Sequence, residues 1–319
     1  MLFDSFGRIH NYLRISVTDA CNLRCVYCMP EGKNIVTSKN KMMSADEIDK
    51  LASVFINMGI NKIRITGGEP LVRKDIKEIL SILSEYPVEL TVTTNAYLVN
   101  SFIDVFNATG IKNLNVSLDT FSPEQFSVLT KRNHFNKIFS NICLLLENNF
   151  NVKVNFVVMK DVNENSILDF IEWTKDFPLE VRFIEFMPFN KNNWSEEKVF
   201  SYKDILNLIN TKYHFEKIED RIHDTSRKFK ARGHLGTFGI ISTITKPFCN
   251  ECNRLRLTSD GKLKNCLFSK EEIDLLTPLR NGEDVIPIIH SSLLNKKEER
   301  GGQFNSEEII NRSMVSIGG

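Results

Sequence analysis

The stretch YLRISVTDACNLRCVYCMP, Tyr12 to Pro30, decides how the chain is read. Its first half, Tyr12–Val17, alternates polar and apolar side chains, the pattern of a half-buried strand. Its second half carries Cys21, Cys25 and Cys28. Spaced i, i+4, i+7, they would also fit one face of a helix as three buried cysteines. Thr18, Asp19 and Asn22 instead favour a turn after the strand, and Pro30 closes the segment. Three thiolates in such a loop can hold three irons of a cubane and leave the fourth open to a small molecule. Zinc would want a fourth protein ligand, and the sequence offers none nearby.

Working outward, apolar β-branched runs recur at Tyr12–Val17, Lys62–Thr66, Glu89–Thr94, Asn113–Leu118, Val152–Met159 and Glu180–Met187. Helical stretches separate them: Ser44–Met58, Lys74–Tyr86, Asn100–Ala108, Pro123–Asn149 with a break near Asn133, and Glu164–Lys175. Ser44 and Glu47 form a capping-box pattern. Six strands alternating with helices predict a parallel α/β domain. An open doubly wound sheet and a full or partial β/α barrel both fit, and periodicity does not separate them. After about residue 190 the pattern changes. Asn190 to Lys198 reads as a connecting loop, Ser201–Asn210 as a helix, and the remainder as a smaller irregular region. The expected division is 1–190 and 191–319.

Composition agrees with a packed globular protein. The chain has 319 residues, of which 42% are hydrophobic and 25% charged, excluding a mainly disordered or coiled-coil molecule. A net charge of +1 gives no global preference for nucleic acid or membrane. The longest apolar run is Ile142 to Leu146, far below the roughly 20 residues of a membrane helix. The start, MLFDSFGRIH, lacks signal or transit character, so a cytoplasmic location is expected. A disulfide framework is unexpected in such a chain. The seven cysteines divide into two triplets, with Cys143 left for core packing.

The segment CNLRCVYC, with Tyr27 before its last cysteine, resembles the signature of the radical S-adenosylmethionine (SAM) enzymes. In that family SAM chelates the open iron and, given one electron, yields a 5′-deoxyadenosyl radical that takes hydrogen from substrate. The resemblance extends to Thr66-Gly67-Gly68-Glu69-Pro70, which lies between a predicted strand and a predicted helix. Read physically, paired glycines admit close backbone approach and leave carbonyls to accept from an ammonium. By resemblance they hold the SAM amino group. Tyr27, Gly67, Gly68, Glu69, Ser117 and Met187 are the SAM contacts the resemblance implies, with Ser117 and Met187 near strand C-termini where β/α barrels build sites.

The second triplet is Cys249, Cys252 and Cys266. A zinc knuckle is possible on this spacing, with His290 the one downstream His for a fourth ligand; a second cluster is the other reading. Arg254-Leu255-Arg256 follows at once, and in a strand both guanidinium groups share a face. Together with RISVTDxCNxRCxYCMP and IRITGGEPL, the run CNxCNRLRLTxDGxLxxCL resembles the GTP 3′,8-cyclase family of molybdenum cofactor biosynthesis, from Tyr12 to the terminal Gly319. That resemblance implies an incomplete (β/α) barrel of about six units, closed by a smaller C-terminal region around a second [4Fe–4S] cluster. It implies conversion of GTP to (8S)-3′,8-cyclo-7,8-dihydroguanosine 5′-triphosphate, the radical abstracting the ribose 3′ hydrogen. Carried over by position, Arg14, Lys62, Arg64, Thr93, Lys153, Arg254, Leu255 and Arg256 contact GTP, and Arg14, Arg64, Gly318 and Gly319 serve catalysis. Lys and Arg suit a triphosphate.

The same resemblance implies a homodimer, an electron donor such as flavodoxin or ferredoxin, and delivery of product to cyclic pyranopterin monophosphate synthase. The sequence departs from the family at Ala20, usually Arg, at Ala96, usually Gly, and at Thr130-Lys131-Arg132, usually Thr-Gly. The nearest alternative is another radical SAM enzyme with one auxiliary cluster, such as a peptide-modifying maturase. A non-enzymatic iron–sulfur or zinc sensor is the other; it would not cleave SAM on reduction.

Overall fold

Alternation along six strands gives one apolar and one polar face, and the fold follows from covering the first. The computed structural model describes residues 1–29, 37–190, 192–305 and 309–318, so Pro30 and Gly319 lie outside the described residues. The strands are β1 (Tyr12–Ser16), β2 (Lys62–Thr66), β3 (Glu89–Thr94), β4 (Asn113–Ser117), β5 (Asn151–Val158) and β6 (Glu180–Glu185). They pair in parallel in sequence order. Leu13, Ile15, Ile63, Ile65, Val92 and Val116 are fully buried. They share one core with Ile48, Leu51 and Phe55 of α1 (Ala45–Asn57) and with Ile79 and Leu80 of α2 (Ile76–Ser84). Burying such a side chain contributes roughly 1.5–3 kcal/mol. The crossover helices continue as α3 (Ile103–Ala108), α4 (Pro123–Thr130), α5 (Phe135–Glu147) and α6 (Ile167–Asp176). Ser44 and Glu47 form the expected capping box on α1. The expected break in the fourth helical stretch falls at Lys131, whose φ of +56° ends α4.

The C-terminal region is less separate than its composition implies. After α7 (Tyr202–Asn210) come β7 (Phe215–Lys217), β8 (Arg227–Ala231) and β9 (Thr237–Ile241), then β10 (Arg254–Leu257), β11 (Lys262–Lys264) and β12 (Ile273–Asp274). β9 joins β6 in parallel, and β10 joins β1 in parallel. Among the described residues the result is one twelve-stranded sheet with β7 and β12 at its edges. It is an open α/β sheet, so the C-terminal strands extend both edges of the six-unit barrel and do not join them. Two further helices, α8 (Leu276–Arg280) and α9 (Ile286–Leu294), complete the described elements used below. Cys143 is half-buried on α5 and not part of the core.

Candidate active site

Strand register stacks the polar side chains of the inner face in rows. One row is Arg256, Arg14, Arg64 and Thr91; the row below it is Arg254, Tyr12, Lys62 and Glu89. A third runs Thr93, Asn115, Lys153 and Glu180, and a fourth Ser117, Asn155 and Arg182. Tyr12 to Ser16 spans about 13 Å along the strand. The parallel register also separates the two cysteine triplets. Cys21, Cys25 and Cys28 follow the C-terminal end of β1, whereas Cys249 and Cys252 precede β10 and Cys266 follows the antiparallel β11. The triplets therefore occupy opposite ends of the same strands, with the cationic rows between them.

Those rows hold more positive charge than local carboxylates neutralise. Arg64 Nε donates to the Tyr12 hydroxyl, and its Nη1 lies 3.5 Å from Thr93 Oγ1. Burial raises the Tyr12 hydroxyl, but Arg64, Arg14, Lys62 and Arg254 outweigh it and bring it down to about 8. Burial lowers Arg14 to about 10, its neighbours Arg64 and Arg254 adding to the effect against Tyr12. Arg256 is lowered well below its usual value by burial and by Arg14 and Arg254. Arg254 Nε is buried without a hydrogen-bond partner among the described residues. At one rim Lys62 is held by Glu89 at 2.9 Å, and farther round Lys153 pairs with Glu180 at 3.2 Å. Arg182, which sequence reading passed over, shares Glu180 at 2.7 Å. Leu255 points the other way: it is fully buried in the helix-side core, because alternate residues of a strand face opposite sides.

Ile317 and Gly318 reach this floor. Ile317 packs beside Met187, Phe189 and Phe268. The Gly318 carbonyl accepts from Arg256 Nη1 at 2.7 Å and from Arg14 Nη2 at 3.4 Å. Gly318 is thus brought to two of the expected site arginines.

Above the floor a cavity opens at the strand C-termini. Its walls include Cys21, Cys25, Cys28, Tyr27, Gly67, Gly68, Ser117 and Met187, together with Met314 and Val315 of the tail. Gly67 and Gly68 are required by the protein itself. A Cβ on either would lie 2.5 Å from a carbonyl, of Thr18 or Ala20, in the cysteine loop. The same turn donates Gly68 N–H to Thr18 and Glu69 N–H to Ala20. Glu69 turns its carboxylate toward the end of β3, accepting from Asn95 N at 2.6 Å, Thr94 Oγ1 at 2.8 Å and Leu71 N at 3.0 Å. Burial pushes it up to about 7 despite those donors. Two residues missed in the sequence also stand here. Asp119 accepts from the Tyr27 hydroxyl at 2.6 Å and Val157 N at 2.8 Å, and burial raises it to about 6. Asn155 lines the cavity, and its Oδ1 is buried with no hydrogen-bond partner among the described residues. Their only sequence signal was period-two placement on β5 and just beyond β4.

The two triplets differ in electrostatic setting. Burial and Glu69 raise Cys21 to about 11, and burial with nearby Cys28 and Asp119 raises Cys25. Burial also raises Cys252, but Arg254 and Lys296 overcome it and bring its thiol to about 6. All six thiols are free and partly exposed. Among the described residues no three His, Cys, Asp or Glu side chains converge as a single-ion site. The donor set fits clusters: three thiols per loop, with orphaned buried polar atoms, Asn155 Oδ1 and Arg254 Nε, near each.

Comparison with known proteins agrees with this geometry. Residues 15–174 match the model of the radical SAM superfamily, and residues 179–301 that of Molybdenum Cofactor Synthesis C. The chain is 42% identical to a GTP 3′,8-cyclase of Peptoclostridium acidaminophilum, covering 100% of this chain and 98% of that protein. It is 41% identical to the mitochondrial GTP 3′,8-cyclase of Arabidopsis thaliana, covering 84% of it. It spans about half the length of longer relatives, such as the human molybdenum cofactor biosynthesis protein 1, of which it covers 51% at 41% identity. Among solved structures, SAM-bound SuiB of Streptococcus suis superposes with a TM-score of 0.64 at 14% identity, covering 91% of this chain and 68% of that one, a likeness of fold alone. The sequence identity over nearly full length places the chain in the GTP 3′,8-cyclase family of radical SAM enzymes.

Proposed function

We propose that the chain converts GTP to (8S)-3′,8-cyclo-7,8-dihydroguanosine 5′-triphosphate, the first step of molybdenum cofactor biosynthesis. The observation that carries this is the block of under-neutralised arginines on the inner sheet face, set between two cysteine triplets at opposite strand ends. A family of this kind uses two [4Fe–4S] clusters and SAM, which when bound supply a 5′-deoxyadenosyl radical that takes the ribose 3′ hydrogen. Residues 1–190 would hold the first centre through Cys21, Cys25 and Cys28, and residues 191–319 the second through Cys249, Cys252 and Cys266.

The chain's own part is binding, orientation and exclusion of water. Arg14, Arg64, Arg254 and Arg256, with Lys62, Lys153 and Thr93, receive the triphosphate and purine oxygens; guanidinium forks match such oxygens in pairs. Gly67, Gly68, Ser117, Met187 and Tyr27 shape the SAM cavity, with Tyr27 fixed by Asp119. Gly318 sets the tail across the arginines and so shields the reacting centre. Seven free thiols suit a reducing cytoplasm. We assign a homodimer, flavodoxin or ferredoxin as electron donor, and cyclic pyranopterin monophosphate synthase as recipient on the resemblance alone. Among the described residues no helix is long and apolar enough to cross a membrane. The test is anaerobic reconstitution with iron and sulfide, then incubation with SAM, GTP and reductant. Mass spectrometry should show a cyclised nucleotide and one 5′-deoxyadenosine per product; SAM cleavage without any nucleotide change would refute the assignment.

A further inference from the structure

Lys296, just beyond α9, is a buried ammonium that the reading above does not use: it is only 4% exposed. It points into the second cysteine loop. Its Nζ donates to the Asn265 carbonyl at 2.6 Å and to the Arg254 carbonyl at 3.5 Å, and stands 3.9 Å from Cys252 Sγ. Three N–H donors thus address three acceptors of one loop, none of them a carboxylate. Asn265 immediately precedes Cys266, and Arg254 lies two residues after Cys252. One side chain therefore ties both arms of the loop.

Arg8 makes a useful contrast. It also reaches the loop, at the Cys249 carbonyl at 2.9 Å, but its charge is met by Asp4 at 2.6 Å. Among the described residues, the hydrogen-bond partners of the Lys296 ammonium are neutral carbonyls and a sulfur. Burying a cation is costly unless an anion or several good acceptors compensate it. As a cluster ligand, Cys252 would place an anionic sulfur 3.9 Å from that ammonium. The first triplet has the opposite surroundings, with the Glu69 and Asp119 carboxylates nearby.

We propose that Lys296 is a positioning residue of the C-terminal centre: it holds the Cys252 and Cys266 arms in place and, through its charge and N–H···S contact, raises that centre's reduction potential. This rests on the reading that Cys249, Cys252 and Cys266 hold a cluster. Reduction adds a negative charge, and a cation beside a ligand sulfur stabilises the reduced form more than the oxidised one. Hydrogen bonds to cluster sulfurs and outer-shell partners are established levers on such potentials.

The test is a potentiometric titration of the reconstituted full chain, followed by electron paramagnetic resonance, on wild type, Lys296→Met and Lys296→Arg. A chain with Cys21, Cys25 and Cys28 all changed to Ser isolates the C-terminal signal. The Met variant should titrate at a clearly lower potential at that centre only, with the Arg variant near wild type. An unchanged potential in the Met variant at full iron content would overturn the proposal. If Met sheds iron, Lys296→Gln retains a donor to the Asn265 carbonyl, and the fall in potential is read there. Loss of the cluster in both Met and Gln variants, with Arg intact, would make Lys296 a structural tie and overturn the tuning role. About four irons with stoichiometric zinc in the wild type would instead refute the two-cluster reading itself.

Discussion

A Cβ built on Gly318 would lie 2.4 Å from Thr66 Oγ1 and 3.1 Å from Ser16 Cβ, and the residue's φ is +74°. Both facts demand glycine, since a side chain is strained there and has no room. Gly318→Ala should therefore pull the tail off the arginine floor while leaving the core and both cysteine loops intact. Cyclised nucleotide should form more than tenfold more slowly, a loss above about 1.4 kcal/mol, with GTP still bound. Wild-type turnover in that variant, at equal iron, would show that the tail plays no part. The cysteines divide by the same residue-level reasoning. Cys25→Ser should abolish SAM cleavage, because the first centre is lost. Cys266→Ser should impair GTP binding or cyclisation while some uncoupled 5′-deoxyadenosine still forms. Normal cyclisation by the Cys266 variant would leave the second loop a purely structural role.

Two departures from the family fall where elements end. Ala96, after β3, has φ +62°, and Lys131, closing α4, has φ +56°; the family resemblance implies glycine at both. Lys131 is exposed, so Lys131→Gly should relieve left-handed strain without losing packing and raise stability by up to about 1 kcal/mol. Urea denaturation of the holoprotein reads this, and a loss of stability would count against the strain argument. Ala96 is fully buried, and there the lost methyl offsets the relief. The N-terminal hairpin, bridged between Phe3 and Ile9, carries a pH dependence. His10 is fully buried, 3.0 Å from Asp4, and held at about 4, first by burial and then by Lys296, over the opposing carboxylate. Its folded value lies below the usual 6.5, so the unfolded chain binds the extra proton first. Stability present above pH 6.5 should fall as the pH drops toward 4, by roughly 3 kcal/mol. Asp4, lowered to about 2 by its donors against burial, adds its loss only at lower pH. His10→Gln should flatten the upper part of that slope; an unchanged slope would assign it elsewhere.

At the scale of the molecule, the six-strand core was legible because each strand declares itself by alternation over five to eight local residues, as at Lys62–Thr66 and Glu89–Thr94. What sequence did not show is the sorting of β9 and β10 to opposite edges of that sheet, since edge pairing is decided by long-range packing. Asp119, Asn155, Arg182 and Lys296 were missed for the same reason: each acquires meaning from neighbours distant in sequence. Arg312 belongs with them. It grips Asp260 through both oxygens, at 2.9 and 3.0 Å, and reaches Glu272 at 2.5 Å. From that anchor the chain runs six residues to Gly318, with Val315 and Ile317 buried on the way. A bidentate guanidinium pair with a second acid is stronger than an ordinary surface ion pair. Removing it should release the tail's base and leave the floor contacts of Gly318 to hold the rest. Arg312→Ala should therefore lower turnover by less than Gly318→Ala, several-fold, with unchanged SAM cleavage. Arg312→Lys keeps the charge but not the fork and should fall between. If turnover matches wild type in the Ala variant, packing of Val315 and Ile317 together with the Gly318 floor contacts holds the tail in place.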